Sequence, residues 1–234
     1  MTTKKFFKYY LDEDKSAEPL NEYGYRGPIV DSKKKILFLG CSMTYGYGVK
    51  YDETFAYQTA KLMGEEWSSL NFGVPGSGPD IQIITAAWAL NNFNIDKICW
   101  LMSNPMRTQV IMESGANLKF SINSNPDSFR LYKDKRSLDR FVENHIYFEK
   151  NNLTKVTQHL YTLFSLIKQK NIDCYVTCWE GNFDDTVQEL RDEFGFKKLD
   201  RLFRTDIASD GVHPGPQSHL NFATTLSERM KNEK

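Results

Sequence analysis

The stretch that decides the fold is Ile36-Leu37-Phe38-Leu39-Gly40-Cys41-Ser42-Met43-Thr44-Tyr45-Gly46. It begins as a short apolar run, typical of a buried strand, and it ends in glycine and hydroxyl residues, typical of a turn. Two later strand-like runs end in the same way, the first in Asn71-Phe72-Gly73-Val74-Pro75-Gly76 and the second in Ser103-Asn104-Pro105. Three strands that each end in small or polar residues therefore organise this part of the chain.

The spacing of these segments predicts how they are arranged. Ser42 and Gly73 are 31 residues apart, and so are Gly73 and Asn104. A strand–helix–strand step takes about 30 residues, and apolar residues at helical spacing predict helices over 54–67 and 80–92. We therefore expect a three-layer α/β/α sandwich with a mostly parallel central sheet, of the flavodoxin-like kind, with all three segments at one sheet edge. In such sheets, ligands bind outside the carboxyl ends of the strands.

The rest of the chain extends this pattern. An apolar stripe from Leu153 to Ile167 predicts a helix, 172–178 a strand, and a segment starting near Pro216 a C-terminal helix. The 234 residues form a single predicted domain, with residues 1–34 as a turn-rich extension and residues 107–150 as a candidate lid or insertion.

Composition excludes several classes of function. Thirty lysines and arginines balance thirty aspartates and glutamates, so nothing predicts a nucleic-acid or anionic-membrane partner. No apolar run approaches the roughly 20 residues of a membrane-spanning helix, and no leader-like segment is seen, so we expect a cytoplasmic protein. Four cysteines without a C-x-x-C pair and four histidines predict a reducing compartment and no structural zinc.

A fourth polar segment, Asp210-Gly211-Val212-His213-Pro214, supplies the groups that activate a serine. A serine hydroxyl is a weak nucleophile until a base takes its proton, and histidine suits that task near neutral pH. A carboxylate on the other ring nitrogen fixes the tautomer. One short turn can therefore deliver both Asp210 and His213 to Ser42.

Acyl transfer also needs hydrogen-bond donors aimed at the developing oxyanion. The backbone N–H groups of Ser42 and Gly73 and the side-chain amide of Asn104 form a candidate set, because all three follow strand ends.

Together, these four segments resemble the blocks of the SGNH (GDSL-type) hydrolases: a serine in a G-x-S-x-T-x-G turn, a glycine, an asparagine and a D-x-x-H. The resemblance runs from about residue 21 to residue 225. The stretch Asn21-Glu22-Tyr23-Gly24-Tyr25-Arg26-Gly27 also resembles a turn motif that often precedes the first block.

The resemblance implies a role for each matching residue. Ser42 would be the nucleophile, His213 the base and Asp210 the group that orients the base, while Gly73 and Asn104 would line the oxyanion hole with Ser42. Members of this family are esterases, lipases, carbohydrate deacetylases and some acyltransferases, and they need no metal or cofactor. We therefore expect hydrolysis of a small-molecule or carbohydrate ester, with an O-acetyl group on a sugar as one candidate.

Two departures from the family pattern keep other functions open. Cys41 precedes the serine where the family usually has aspartate, and Pro105 follows the asparagine where the family again usually has aspartate. They support one alternative, a catalytically silent domain of this fold that serves binding or structure. The other alternative is an acyltransferase that uses the same residues and differs only in whether water or a second hydroxyl takes the acyl group.

Several other residues have weaker signals. Trp179 and Glu180 end a strand at the same predicted edge and are candidate substrate contacts, although a tryptophan is often part of a core. For His219 a helix-capping or surface role is favoured over substrate contact, and for Cys41 a buried structural role over catalysis.

Overall fold

A computed structural model describes residues 20–31, 33–105, 107–111, 117–120, 149–178 and 184–233. The strands in these ranges are β1 (Lys34–Gly40), β2 (Trp67–Gly73), β3 (Lys97–Met102), β4 (Thr108–Ile111), β5 (Asn117–Phe120), β6 (Asp173–Cys178) and β7 (Lys197–Lys198). The α-helices are α1 (Ser42–Tyr45), α2 (Phe55–Met63), α3 (Pro79–Asn92), α4 (Glu149–Gln169), α5 (Asp184–Phe194) and α6 (Pro216–Asn232). Strands and helices alternate through most of the chain, as the sequence predicts.

Five strands form one parallel sheet in the order β2-β1-β3-β6-β7, while β4 and β5 form a separate antiparallel pair. At the end of β1, Gly40 lies opposite Gly73 of β2 on one side and Leu101 of β3 on the other. The first three strands therefore end level with one another, so the segments that follow them meet at one edge. The chain also reverses its direction of winding at β1 and β3, which makes this edge a topological switch point.

Alternate residues of each strand face opposite layers, because side chains in a strand have a period of two. In β1, Leu37 and Leu39 belong to the apolar cluster that α3, α4 and α5 cover. Ile36 and Phe38 belong to the cluster that α2 and α6 cover. With helices on both faces of a buried parallel sheet, the predicted three-layer α/β/α sandwich is confirmed.

One predicted boundary is wrong. The helix expected over 54–67 ends at Met63, and Trp67 is the first residue of β2 rather than part of a helical face. Gly64, at φ 127°, stops the helix because residues with a side chain rarely adopt that conformation.

Parts of two predictions lie outside the described residues. They are residues 1–19 and 32 of the N-terminal extension, and residues 112–116 and 121–148 of the candidate lid. The division into one domain with an extension and a lid therefore stays a prediction. None of the described helices has the length and apolar composition needed to cross a bilayer.

Candidate active site

Ser42 is the first residue of α1, directly after a tight turn at the end of β1. Gly40 makes the turn at φ 156°, and a side chain there would collide with the buried hydroxyl of Thr44. That hydroxyl donates a hydrogen bond to the Leu39 carbonyl oxygen at 3.3 Å. The small residue at 40 and the hydroxyl at 44 therefore fold the chain back on the strand, and Ser42 is left partly exposed.

The other half of the site is a loop over residues 206–215 that is closed by its own backbone. Ile207 and Pro214 form a bridge, and the Ala208 N–H donates to the His213 carbonyl oxygen at 2.9 Å. At the base of the loop, the Asp206 carboxylate accepts the N–H groups of Gln217 and Ser218 at 2.9 and 2.8 Å, in the first turn of α6. Asp206 thus caps this helix and fixes where the loop joins it.

The carbonyl group of Gly48 helps to tie this loop to the serine segment. The Gly48 carbonyl oxygen accepts both the N–H and the hydroxyl of Ser209, at 3.1 and 2.7 Å. Gly48 lies three residues after α1, and Ser209 directly precedes Asp210. The tie therefore brings together two parts of the chain that are about 160 residues apart.

The structure brings the three residues predicted as catalytic into one hydrogen-bonded row. His213 Nε2 lies 2.9 Å from Ser42 Oγ, and His213 Nδ1 lies 2.5 Å from Asp210 Oδ2. The second carboxylate oxygen of Asp210 accepts the backbone N–H groups of Val212 and His213, each at 3.0 Å. Both distances along the row are hydrogen-bond distances, and this order of side chains is one that can activate a serine hydroxyl.

The electrostatics of the row fix its proton arrangement. Burial raises the pKa of Asp210, but hydrogen bonds from the backbone of Val212 and His213 and from the His213 ring outweigh it and lower the pKa to about 2. Asp210 is therefore an anion near neutral pH, and its carboxylate accepts a hydrogen bond from the Nδ1–H group of His213. In the neutral imidazole the other nitrogen, Nε2, is then free to accept the hydrogen of the Ser42 hydroxyl.

An aromatic ring lies beside His213. The ring of Tyr47 lies 5.4 Å from the His213 ring, centroid to centroid, and is tilted 45° to it. Beside them, a cavity of about 550 Å³ opens between the segment after α1 and the 206–215 loop. Its lining includes Tyr47, Lys50, Glu53 and Asp210. The site thus adjoins a space that is large enough for part of a small ligand.

One predicted oxyanion residue, Gly73, has a competing hydrogen bond. Its N–H already donates to Asn71 Oδ1 at 3.2 Å, and the residue is buried. A side chain at 73 would collide with the backbone of Tyr45, so the glycine allows α1 to pack closely on β2. The Gly73 amide could reach an oxyanion only by giving up its bond to Asn71.

Asn104 is partly buried in the turn that follows β3. Its carbonyl oxygen accepts the Arg107 N–H at 3.0 Å, which closes the turn around Pro105. A proline is tolerated there because it contributes no N–H to this bond. The departure at 105 therefore leaves the turn that carries Asn104 intact.

Sequence reasoning missed the role of Arg26, which is 4% exposed. Its Nη1 donates to the carbonyl oxygens of Tyr45 and Gly46 at 2.9 and 2.5 Å, and its Nη2 donates to that of Val49 at 2.6 Å. One guanidinium thus holds the C-terminal end of α1 and the segment behind it. The signal was present in the Asn21–Gly27 motif, but only the folded chain shows what its arginine contacts.

The remaining candidates have separate outcomes. Cys41 is buried at 4% exposure. His219 is fully buried rather than on the surface, and its Nδ1 accepts the N–H of Phe55 at 3.1 Å, so it caps the start of α2. Trp179 and Glu180 lie outside the described residues, so their predicted contact with substrate stays a prediction. Within the described part of the chain, no three His, Cys, Asp or Glu side chains are placed to hold a metal ion.

Comparison with solved structures identifies the fold. The psychrotrophic esterase EstA from Pseudoalteromonas sp., inhibited by monoethylphosphonate, matches with a TM-score of 0.54 at 10% identity, over 85% of this chain and 97% of its own. A carbohydrate acetylesterase family member from Sinorhizobium meliloti matches with 0.52 at 11% identity, over 84% and 98%. A protein placed in the lipolytic G-D-S-L family, from Desulfitobacterium hafniense DCB-2, matches with 0.51 at 12%, over 84% and 99%.

These similarities concern the fold. No family model matches the sequence, and no curated protein matches it either. The chain has the fold of the SGNH (GDSL-type) hydrolases across most of its length, as the resemblance of its four motifs implies.

Proposed function

We propose that the protein is a serine esterase that hydrolyses a small ester through Ser42, His213 and Asp210. The observation that carries the proposal is the row of two hydrogen bonds, 2.9 Å from serine to histidine and 2.5 Å from histidine to aspartate. Residues 42 and 213 come from opposite ends of the chain, and their contact is the arrangement that activates a serine hydroxyl. The partly exposed position of Ser42 gives an ester access to it.

The reaction follows from the proton positions. Ser42 Oγ attacks the ester carbonyl carbon while His213 Nε2 takes the hydroxyl proton, and the anionic Asp210 stabilises the resulting imidazolium. The bond from the acyl carbon to the alcohol oxygen then breaks, and His213 returns the proton to that oxygen. In the second half, His213 takes a proton from water as the water oxygen attacks the acyl carbon of the acyl-serine. The bond from that carbon to Ser42 Oγ then breaks, and His213 returns the proton to Oγ, which releases the carboxylic acid and free Ser42.

The negative oxygen of each tetrahedral intermediate needs donors. We assign the Ser42 backbone N–H and the Asn104 side-chain amide to this role, since both follow adjoining strands at the same sheet edge. Gly73 would join them only after releasing Asn71.

The substrate class is a small ester of a short acyl chain. An O-acetylated carbohydrate is the first natural substrate to test, since one protein of the same fold is described as a carbohydrate acetylesterase.

The proposal is tested by replacing the nucleophile. We expect Ser42→Ala to lower kcat/KM for 4-nitrophenyl acetate by roughly 10⁴-fold or more, and to abolish labelling by a fluorophosphonate. Cys41→Ala is the matched control, because it removes the neighbouring buried thiol and should leave the rate within about threefold. Equal rates in wild type and Ser42→Ala, or labelling that persists without Ser42, would overturn the proposal.

A further inference from the structure

The first turn of α3 carries a buried side chain, Gln82, that the catalytic row does not contact. It is 2% exposed, and its neighbours are the equally buried Trp100, Ser77 and Ser103. We call these four residues the Gln82 network. They lie directly beneath the strand ends where the candidate oxyanion donors are found.

Every hydrogen-bonding group of the Gln82 amide has a partner. Its Oε1 accepts the Trp100 indole N–H at 2.8 Å, and its Nε2 donates to Ser77 Oγ at 3.1 Å and to Ser103 Oγ at 2.8 Å. Because an indole N–H can only donate, the amide oxygen must face Trp100, and the NH₂ group must face the two serines. The orientation of the amide is therefore fixed.

The two serine hydroxyls connect the Gln82 amide to backbone carbonyl groups. Ser103 Oγ donates to the Ser77 carbonyl oxygen at 2.8 Å, and Ser77 Oγ donates to the Gly40 carbonyl oxygen at 3.3 Å. Each hydroxyl thus accepts one hydrogen from Gln82 and donates its own to a carbonyl. A buried network with every donor used is rigid, since any shift leaves a polar group without a partner.

The groups so connected are those that must stay in register during acyl transfer. Gly40 lies two residues before Ser42, and Ser103 directly precedes Asn104. Ser77 ends the loop after β2, whose Val74 N–H also donates to the Gly40 carbonyl oxygen at 3.0 Å. Through the two serines, one side chain therefore joins the end of β1 to the loops after β2 and β3.

We propose that Gln82 is a positioning residue that holds Asn104 and the loop after β2 in register with Ser42, and so sets the oxyanion-binding geometry. This inference rests on the proposed function. Its basis is that donors placed in advance stabilise a developing charge, whereas donors that must first reorient do so less well. Gln82 itself contacts neither Ser42 nor His213 in this network.

The test compares two substitutions on one helix. Gln82→Met keeps the length of the side chain but removes every hydrogen bond of its amide: those to the Trp100 indole, to the two serine hydroxyls and, at 3.5 Å, to the Ser103 backbone N–H. Thr85→Val, three residues further on, is the matched control: Thr85 is equally buried, and its hydroxyl accepts a bond from Tyr25, away from the three loops. Ser103→Ala is a milder second variant, which keeps Gln82 and Trp100 in place.

We expect Gln82→Met to lower kcat for 4-nitrophenyl acetate by about 10- to 100-fold with KM changed less than about threefold, because a misplaced donor affects the transition state more than the bound ester. Ser103→Ala should give a smaller fall of the same kind, and Thr85→Val should leave kcat within about twofold. Amide hydrogen exchange over 71–78 and 101–105 should become faster in Gln82→Met but not in Thr85→Val.

The outcomes separate the two proposals. A wild-type protein that neither hydrolyses esters nor takes up a fluorophosphonate overturns the proposed function, while faster exchange in both segments would still support the tie between the loops. An active wild type with unchanged kcat and unchanged exchange in Gln82→Met and Ser103→Ala overturns the positioning role. An equal fall of kcat in Thr85→Val also overturns it, since general destabilisation would then suffice.

Discussion

Two histidines that lie six residues apart, His213 in the 206–215 loop and His219 in α6, have opposite environments. The ring of His213 is about one-fifth exposed, with an anion at Nδ1 and a hydroxyl at Nε2. His219 is fully buried, stacks on Phe55 at 5.6 Å, and uses Nδ1 as an acceptor for a backbone N–H. The same side chain therefore faces a serine hydroxyl in one place, where we propose it acts as a base, and caps a helix in the other.

The tautomers differ for the same reason. Asp210 holds a proton on Nδ1 of His213, so its Nε2 can accept one. The Phe55 N–H forces His219 to carry its proton on Nε2, and this nitrogen has no hydrogen-bond partner among the described residues. Chemical competence thus depends on which nitrogen the neighbours leave free, and it cannot be inferred from the residue type.

The largest expected effect comes from replacing each histidine with asparagine. His213→Asn removes the base, and we expect kcat/KM for 4-nitrophenyl acetate to fall by roughly 10⁴-fold or more with little change in the free energy of unfolding. His219→Asn should retain the activity within about threefold, because its amide oxygen can accept the Phe55 N–H in place of Nδ1. Urea unfolding beside steady-state kinetics measures both. A loss of activity in His219→Asn as large as in His213→Asn would contradict the assignment of different roles to the two histidines.

The next largest effect is expected from giving His213 the tautomer of His219. In Asp210→Asn, the amide NH₂ would donate to Nδ1 of His213, so the proton would move to Nε2 and the ring would adopt the tautomer of His219. We expect kcat to fall by about 10²- to 10⁴-fold, with the fold unchanged. A rate within threefold of wild type would show that Asp210 does not set the tautomer.

The smallest effect is on stability and appears in acid. Burial and the nearby Arg26 charge lower the pKa of His219 from 6.5 to about 4, so the unfolded chain binds a proton before the folded chain does. The contribution of the neutral His219 ring to the free energy of unfolding is therefore fully present above pH 6.5. It is lost as the pH falls through 4, by a total of about 3 kcal/mol. The difference in free energy of unfolding between wild type and His219→Asn, from urea titrations between pH 7.5 and 3.5, measures it. A difference that is independent of pH would contradict the assignment.

The two histidines also show which features could be predicted from the sequence and which could not. The equal spacing of Ser42, Gly73 and Asn104 was enough to predict the sheet and its functional edge, because apolar runs and turn residues are local signals. The burial of His219 was not predictable, since it depends on α2 and α6 packing against each other. The bond between Gly73 and Asn71 was missed for a similar reason: an amide whose role is set by its hydrogen-bond partner has no signature in the chain.

The loop that ends at Gly215 closes on itself through the Ile207–Pro214 bridge and is clamped at its base by Asp206. Asp210 and His213 both lie on this closed loop, and its contact with the Gly48 carbonyl oxygen brings the two residues together to Ser42. Altering the contact at Gly48 would displace Asp210 and His213 as a unit, without changing the spacing between them.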